Sequence, residues 1–373
     1  MQNRFRLGVE RLENSRQIQK AGGKAQQIQA ETVVVNNGFS VNDISALFQS
    51  LIPLAIQDYT KEAYKIAEER IGYFENKLMP RIIEIENALE MFADPAFQVL
   101  IKNAQRTAAI SDRENDYDTL AELIVTHIKK GDNRKNRVGI RKAIEIVGMI
   151  DTDALCALTV AHVVNSYLPM QGNVKEGLEA FNRLFSKLIY EKLPDEIEWL
   201  EHLDILGAVR LSSFGHMKKF SEYYTDELDG YACIGIEKES ENYIKAIELL
   251  KSVDVNVNIL MDNPFLDGFV RIPVHNKKGI EDIPLVDATG IVRCPKKNEY
   301  DAFCKIWEMY KKDDELTNEV NRKFMEMWDS FDTLSTVRIW WESIPMAFSV
   351  TSVGKVLAHT NAKRCDHGIP DMI

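Results

Sequence analysis

The sequence predicts a mainly α protein: a multi-helix antiparallel bundle, with a short β-forming tract at its N-terminus and a mixed, loop-rich C-terminal half. Apolar residues recur at helical spacing from Ile44 onward, and short polar breaks separate the periodic stretches. Later, Pro264, Pro273, Pro284 and Pro295 punctuate a region where the periodicity fades. These changes of character suggest three segments. Residues 1–38 form a polar, repeat-like oligomerisation tract, residues 39–193 a helical domain, and residues 194–373 a mixed, mainly helical C-terminal domain.

The first tract holds a short repeat. Gln17-Ile18-Gln19 returns as Gln27-Ile28-Gln29, and the second copy runs on to Val33 and Val35 before closing at Asn36-Asn37-Gly38. Amide side chains alternating with β-formers, broken by Gly22-Gly23, read as very short strands. Strands that small bury no core alone and gain stability when identical copies stack, because backbone hydrogen bonds and glutamine ladders then repeat. Gln17, Ile18, Gln19, Gln27, Ile28, Gln29, Val33 and Val35 are therefore the expected oligomerisation residues, the alternative being a flexible polar tail.

Past Gly38, Ser40 with Asp43 suggests a helix start, and Ile44, Leu47, Phe48, Leu51, Ala55, Ile56 and Tyr59 give its stripe, with Pro53 bending or ending it. Ala63 to Leu78 continues to Pro80, and Ile82 to Leu89 extends beyond. Asp94-Pro95 opens a helix through Ala104, and another runs from about Asp116. Lys129 to Arg137 reads as a charged loop, followed by helices at Val138–Met149, from Asp151-Thr152 to Tyr167, and from Val174 to Leu193. Trp199, Leu203 and Leu206 suggest one more. Val253 to Leu260 fits a strand or an extended loop, and Asp301 to Asp332 returns to helical spacing.

Composition narrows the function. The 373 residues are 45% hydrophobic and 28% charged, enough for a sizeable core. A net charge of −11 disfavours a nucleic-acid partner. Five scattered cysteines without a C-x-x-C pair fit a reducing, cytoplasmic setting and signal neither disulfides nor zinc. The most apolar stretch, Ile339 to Ala358, is broken by Glu342, Pro345 and Lys355, so no membrane span is expected. Glycine-rich phosphate loops, nucleophile elbows and H-E-x-x-H pairs are missing, and no catalytic residue, metal ligand or cofactor is assigned. His127 and His162 read as structural residues of helices. Lys129, Lys130, Arg134, Lys135, Arg137, Arg141 and Lys142 read as a solvated loop and helix face, the alternative being an anion or nucleic-acid contact, favoured if a helix N-terminus near Asn136 points the same way.

Near the C-terminus, Trp340-Trp341 supplies large apolar area, while Ser352, Gly354 and Ala358 permit close backbone approach. Trp340, Trp341, His359, Asn361 and Arg364 are the candidate lining of a pocket or interface, with packing or an interface preferred over catalysis. Gln17 to Ala30, Asn37-Gly38, Phe92-Ala93-Asp94-Pro95, Leu203 to Gly207, Ser213-Phe214-Gly215, Thr351-Ser352-Val353-Gly354 and Leu357 to Arg364 together resemble a family of uncharacterised bacterial proteins known by locus-tag names. The resemblance implies a helical protein with a repeat-like N-terminal tract and brings no activity. His367 to Ile373 departs from the more aromatic, serine-containing ending of that family.

These readings favour a homo-oligomeric interaction or scaffold protein, self-associating and open to a protein partner. The alternative is a bacterial stress or antiviral-defence effector or sensor controlled by assembly. A hydrolase or nuclease ranks last, because it would need two or more of His202, His216, His275 and His359 to converge with carboxylates.

Overall fold

Helix caps and apolar stripes set the first half of the computed structural model, which describes residues 41–86, 88–129, 134–212, 215–287 and 290–371. The eight oligomerisation candidates between Gln17 and Val35 lie outside the described residues. Seven helices follow in order: α1 (Val41–Ala55), α2 (Lys61–Ile83), α3 (Pro95–Ile110), α4 (Glu114–Lys129), α5 (Arg134–Ile146), α6 (Thr152–Ser166) and α7 (Val174–Leu188). Thr60 caps α2 through the Ala63 amide, and Asp94 caps α3 through Ala96 with Pro95 in the first turn. Pro53 and Pro80 fall in the last turns of α1 and α2, so the i→i−4 hydrogen bond that each removes is lost close to where its helix ends. Tyr59, assigned to the first helical stripe, lies past the end of α1.

Two boundaries differ from the sequence reading. The charged stretch predicted as a loop to Arg137 is already helical from Arg134. The helix predicted to Leu193 stops at Leu188, because the chain leaves helical geometry at Ile189. There the Cys156 Sγ–H donates to the Leu188 carbonyl, and Tyr190 turns inward to meet Asn361.

The second half contains α8 (Glu198–Ile205), β1 (Val209–Leu211), α9 (Phe220–Glu227), β2 (Ile236–Glu237), α10 (Glu241–Ser252), β3 (Met261–Asp262), β4 (Phe269–Arg271), β5 (Leu285–Val286), β6 (Val292–Arg293), α11 (Lys297–Glu308), α12 (Asp314–Asp329), α13 (Asp332–Ser343), β7 (Phe348–Val350) and α14 (Ser352–Cys365). The protein is thus mainly α, with three small antiparallel sheets of order β1-β7, β2-β4-β3 and β5-β6 among the described residues. The single helical stretch read from Asp301 to Asp332 divides into α11 and α12, since Asp313 accepts from the Glu315 and Leu316 amides and starts a new helix. Val253 to Leu260 holds no strand. Asn256 caps a short 3-10 turn at Val257–Ile259 instead.

Residues 39–373 form one compact unit. Its larger apolar core runs from Ile44 to Ile369 and draws on both sides of Leu193-Pro194. Ile236, Ala246, Leu250, Val270, Ile272, Phe303 and Ile306 belong to a second, smaller core. Strand β4 divides the two. Its side chains alternate, so Phe269 joins the larger core while Val270, and Ile272 just beyond, join the smaller. Arg271 follows the alternation toward the larger side, where its Nη2 donates to the Gly172 carbonyl.

At the centre of the first half lies α6, buried on every face from Ala154 to Val164, as expected of a helix built from small and branched apolar residues. Helix α14 lies against α6, α5 and α4 and is itself buried from Val356 to Ala362.

Candidate functional site

One group of buried polar residues, Thr159, His162, His359, Thr360 and Asn361, lies where α14 meets α6. Thr351 caps α14 through the Gly354 amide and also donates to the Gly207 carbonyl, which fixes the helix start against the chain before β1. A Cβ on Gly354 would sit 2.9 Å from the Ala208 carbonyl carbon and nearer still to its oxygen, so only glycine permits this approach. The close approach expected of the small residues is realised here.

Along α14, Asn361 is fully buried. Its Nδ2 donates to Thr159 Oγ1 at 2.8 Å and to Tyr190 Oη at 3.0 Å, and its Oδ1 accepts from Arg364 Nε at 3.0 Å. Arg364 continues outward, donating to Asn115 Oδ1 and covering the Tyr190 ring at 5.0 Å. Two residues before Asn361, His359 Nδ1 and Tyr167 Oη share a 2.7 Å hydrogen bond whose donor depends on the tautomer. His162 stands edge-on to Tyr167 and contacts Ser166 Oγ. Burial, then the nearby His359 and Lys355, pulls His162 down to about 4, and burial pushes the Tyr167 phenol up to about 12. Tyr190 is raised further, again by burial. At neutral pH His162, Tyr167 and Tyr190 are all uncharged.

A satisfied network of this kind fixes one register between two helices. Asn361→Leu is expected to cost about 2–3 kcal/mol, because Tyr190 Oη and Arg364 Nε lose their bonds to Asn361 and Thr159 Oγ1 keeps only its bond to the Leu155 carbonyl. Urea unfolding followed by circular dichroism measures it, and a loss under 1 kcal/mol would contradict the role assigned to Asn361.

The tryptophan pair serves a different junction. Trp340 and Trp341 are buried, and both indole N–H groups are used: Trp340 donates to the Pro194 carbonyl and Trp341 to that of Lys218. Trp340 packs on Trp199, and Trp341 on Phe220 and Tyr223, so α13 is fastened to α8 and α9. One edge of Trp341 lines a shallow cleft of about 460 Å³ with His216, Lys219 and Glu342. The five C-terminal candidates therefore divide into two groups: His359, Asn361 and Arg364 in the α6–α14 seam, and the tryptophans under α8 and α9.

The remaining histidines have separate surroundings. His202 accepts from the Asp151 amide at the margin of an acidic cleft of about 600 Å³ with Glu191, Asp195 and Glu198. His275 is buried below Gly279, and burial lowers it. Among the described residues no group of three or more histidine, cysteine or acidic side chains could hold a metal ion. A groove of about 570 Å³ between α2 and α4 is lined by Ile66, Arg70, Tyr73 and Tyr117. Lys363 joins Glu122 and Asp371, and Lys129 with Lys363 holds the Asp371 carboxyl down to about 2. Sequence periodicity gave no sign of the seam's other half. Thr159, Tyr167 and Tyr190 look like ordinary helix and loop residues until the fold brings α14 onto them.

No helix of the described residues is long and apolar enough to cross a membrane. No curated protein and no solved structure matches the chain. A family model described only as "-like", which names no activity, matches residues 38–368, beginning after the glutamine-rich tract. With that match covering most of its 373 residues, the chain belongs to this uncharacterised family.

Proposed function

We propose that the chain works as a homo-oligomeric interaction protein, a scaffold assembled by self-association. The observation that carries this reading is the β5–β6 hairpin. Val286 and Val292 face each other across it and are 68% and 64% exposed, with Ile291 beside them at 63%. Arg293 grips Glu299 through two hydrogen bonds of 2.7 and 2.6 Å, and Glu299 also accepts from the Lys296 amide. The hairpin is thereby held firmly to α11 while its aliphatic face stays in water. Its sheet has no third strand among the described residues, and an apolar strand edge of this kind is a template for pairing with another chain. The Gln-Ile-Gln repeat supplies a second, independent element suited to pairing between copies.

Light scattering on the full chain tests the proposal. The parent chain is expected to be oligomeric. The pair Val286→Lys and Val292→Lys, or the triple change Ile28→Asp, Val33→Asp and Val35→Asp, is expected to reduce the mass while circular dichroism stays unchanged. A parent chain that remains monomeric at every concentration would falsify the proposal.

A further inference from the structure

The basic run between α4 and α5 does not behave uniformly once folded. Lys129 Nζ is bound to Asp371 and Lys142 Nζ to Glu145, so these two lysines are neutralised within the chain. Arg81, Arg113, Arg293 and Arg338 likewise each reach a carboxylate. Arg137 and Arg141 reach none among the described residues, in a chain that carries a surplus of eleven negative charges. They stand one turn apart on α5 and so share a face.

Helix α5 packs on α4, where the charges of both arginines act on a buried histidine. His127 of α4 is 4% exposed, and its ring stacks on Phe97 in the first turn of α3, with centroids 5.9 Å apart. Its Nδ1 is buried with no hydrogen-bond partner, and so is Nε of Arg137. Native proteins leave few such atoms unmatched, and those that remain commonly mark a missing water or ion. Burial first, then the charges of Arg141 and Arg137, pulls His127 down to about 4, opposed only by Asp94 at the head of α3. Two cations thus stand beside a buried, unpartnered ring nitrogen, with Asp94 the one carboxylate that acts on the ring.

We infer that His127, Arg137 and Arg141 bind a small phosphorylated anion. A tetrahedral dianion offers acceptors to two guanidinium groups at once and leaves one for an imidazole N–H, the geometry in which arginine binds phosphate most strongly. One compact triad suits a single phosphoryl group. A polynucleotide would need a longer unpaired basic track, and among the described residues Lys129 and Lys142 are already occupied. This inference stands apart from the self-association proposed above.

Calorimetric titration of the full chain with inorganic phosphate, at fixed ionic strength, tests it. Saturable binding is expected, weakened about tenfold or more by Arg137→Gln with Arg141→Gln and unchanged by Lys142→Gln. Adenosine monophosphate run beside phosphate separates the sources: tighter binding identifies a nucleotide, and equal binding a free phosphate. Sulfate, which keeps its charge over the range, is expected to bind more tightly at about pH 5 than at pH 7, since an anion beside His127 favours the protonated ring, and His127→Phe should remove that dependence. Absence of saturable binding by phosphate and sulfate, or a double variant that binds as the parent does, overturns the inference. If the double variant is unfolded by circular dichroism, Arg141→Lys decides alone: it retains charge without the fork, and undiminished affinity would count against the site.

Discussion

Replacing Arg271 by leucine is expected to lower the stability of the chain by about 3–5 kcal/mol. The side chain is 1% exposed, yet no carboxylate pairs with it among the described residues; its hydrogen-bond partners are backbone carbonyls. Nη1 donates to the carbonyls of Gly230 at 2.9 Å, Val274 at 3.1 Å and Ile272 at 3.2 Å, and Nη2 to that of Gly172 at 2.5 Å. The guanidinium also lies over the Tyr231 ring, 5.6 Å from its centroid. Leucine would restore apolar contact but take the guanidinium from the Gly172 and Val274 carbonyls, while Gly230 would keep only the Cys233 thiol and Ile272 the Val274 amide. Lysine keeps the charge and loses the fork, so Arg271→Lys should recover less than half of the deficit. Urea unfolding, followed by both fluorescence and circular dichroism, measures the effect. A loss below 1 kcal/mol would show that water takes over the four carbonyls and that Arg271 is dispensable.

The second large effect is expected at Gly354. Alanine there should cost about 2–3 kcal/mol. The obstacle is backbone, not a side chain that can swing away: the new methyl would meet the Ala208 carbonyl, which already accepts the Thr351 amide at 3.0 Å and the Thr351 hydroxyl at 2.9 Å. Relief would require α14 to back out of its seat or the β1–β7 pair to open. Gly72→Ala is the control. Nothing lies within 4 Å of a Cβ at that position in the middle of α2, so the change should be neutral or stabilising by up to about 1 kcal/mol. Thermal melting of the two variants side by side separates collision from generic helix propensity. Equal melting temperatures would remove the proposed role of Gly354.

Both residues illustrate what the sequence does and does not disclose. Gly354 was legible because it stands with Ser352 and Ala358 as a small residue that invites close backbone contact. Asp94-Pro95 was legible as a helix start, and so were the apolar stripes of α1 to α4. Arg271 was not, since an arginine in a proline-punctuated stretch reads as solvated, and three-residue strands such as β4 are too short to show a period. Pairing of Val209 with Val350 joins segments far apart in the chain, and nothing local announces it. The seam shows both cases at once. His359, Asn361 and Arg364 stand out as polar residues beside small ones, while Thr159, Tyr167 and Tyr190 acquire their meaning only from the fold. His127 was rightly placed in a helix. The two nearby cations became evident only when α5 proved to start at Arg134 and not after Arg137.

The seating of α14 has a consequence for biosynthesis. Asn361 follows Thr159, its hydrogen-bond mate, by 202 residues. At ordinary translation speeds of 5–20 residues per second, α4 to α6 leave the ribosome about 10 to 40 seconds before the helix that fills the space between them. During that interval the nascent chain presents an open, greasy slot to solvent. It therefore offers chaperones a defined time window in which to hold it, and any message truncated before Ser352 would yield a polypeptide that never closes.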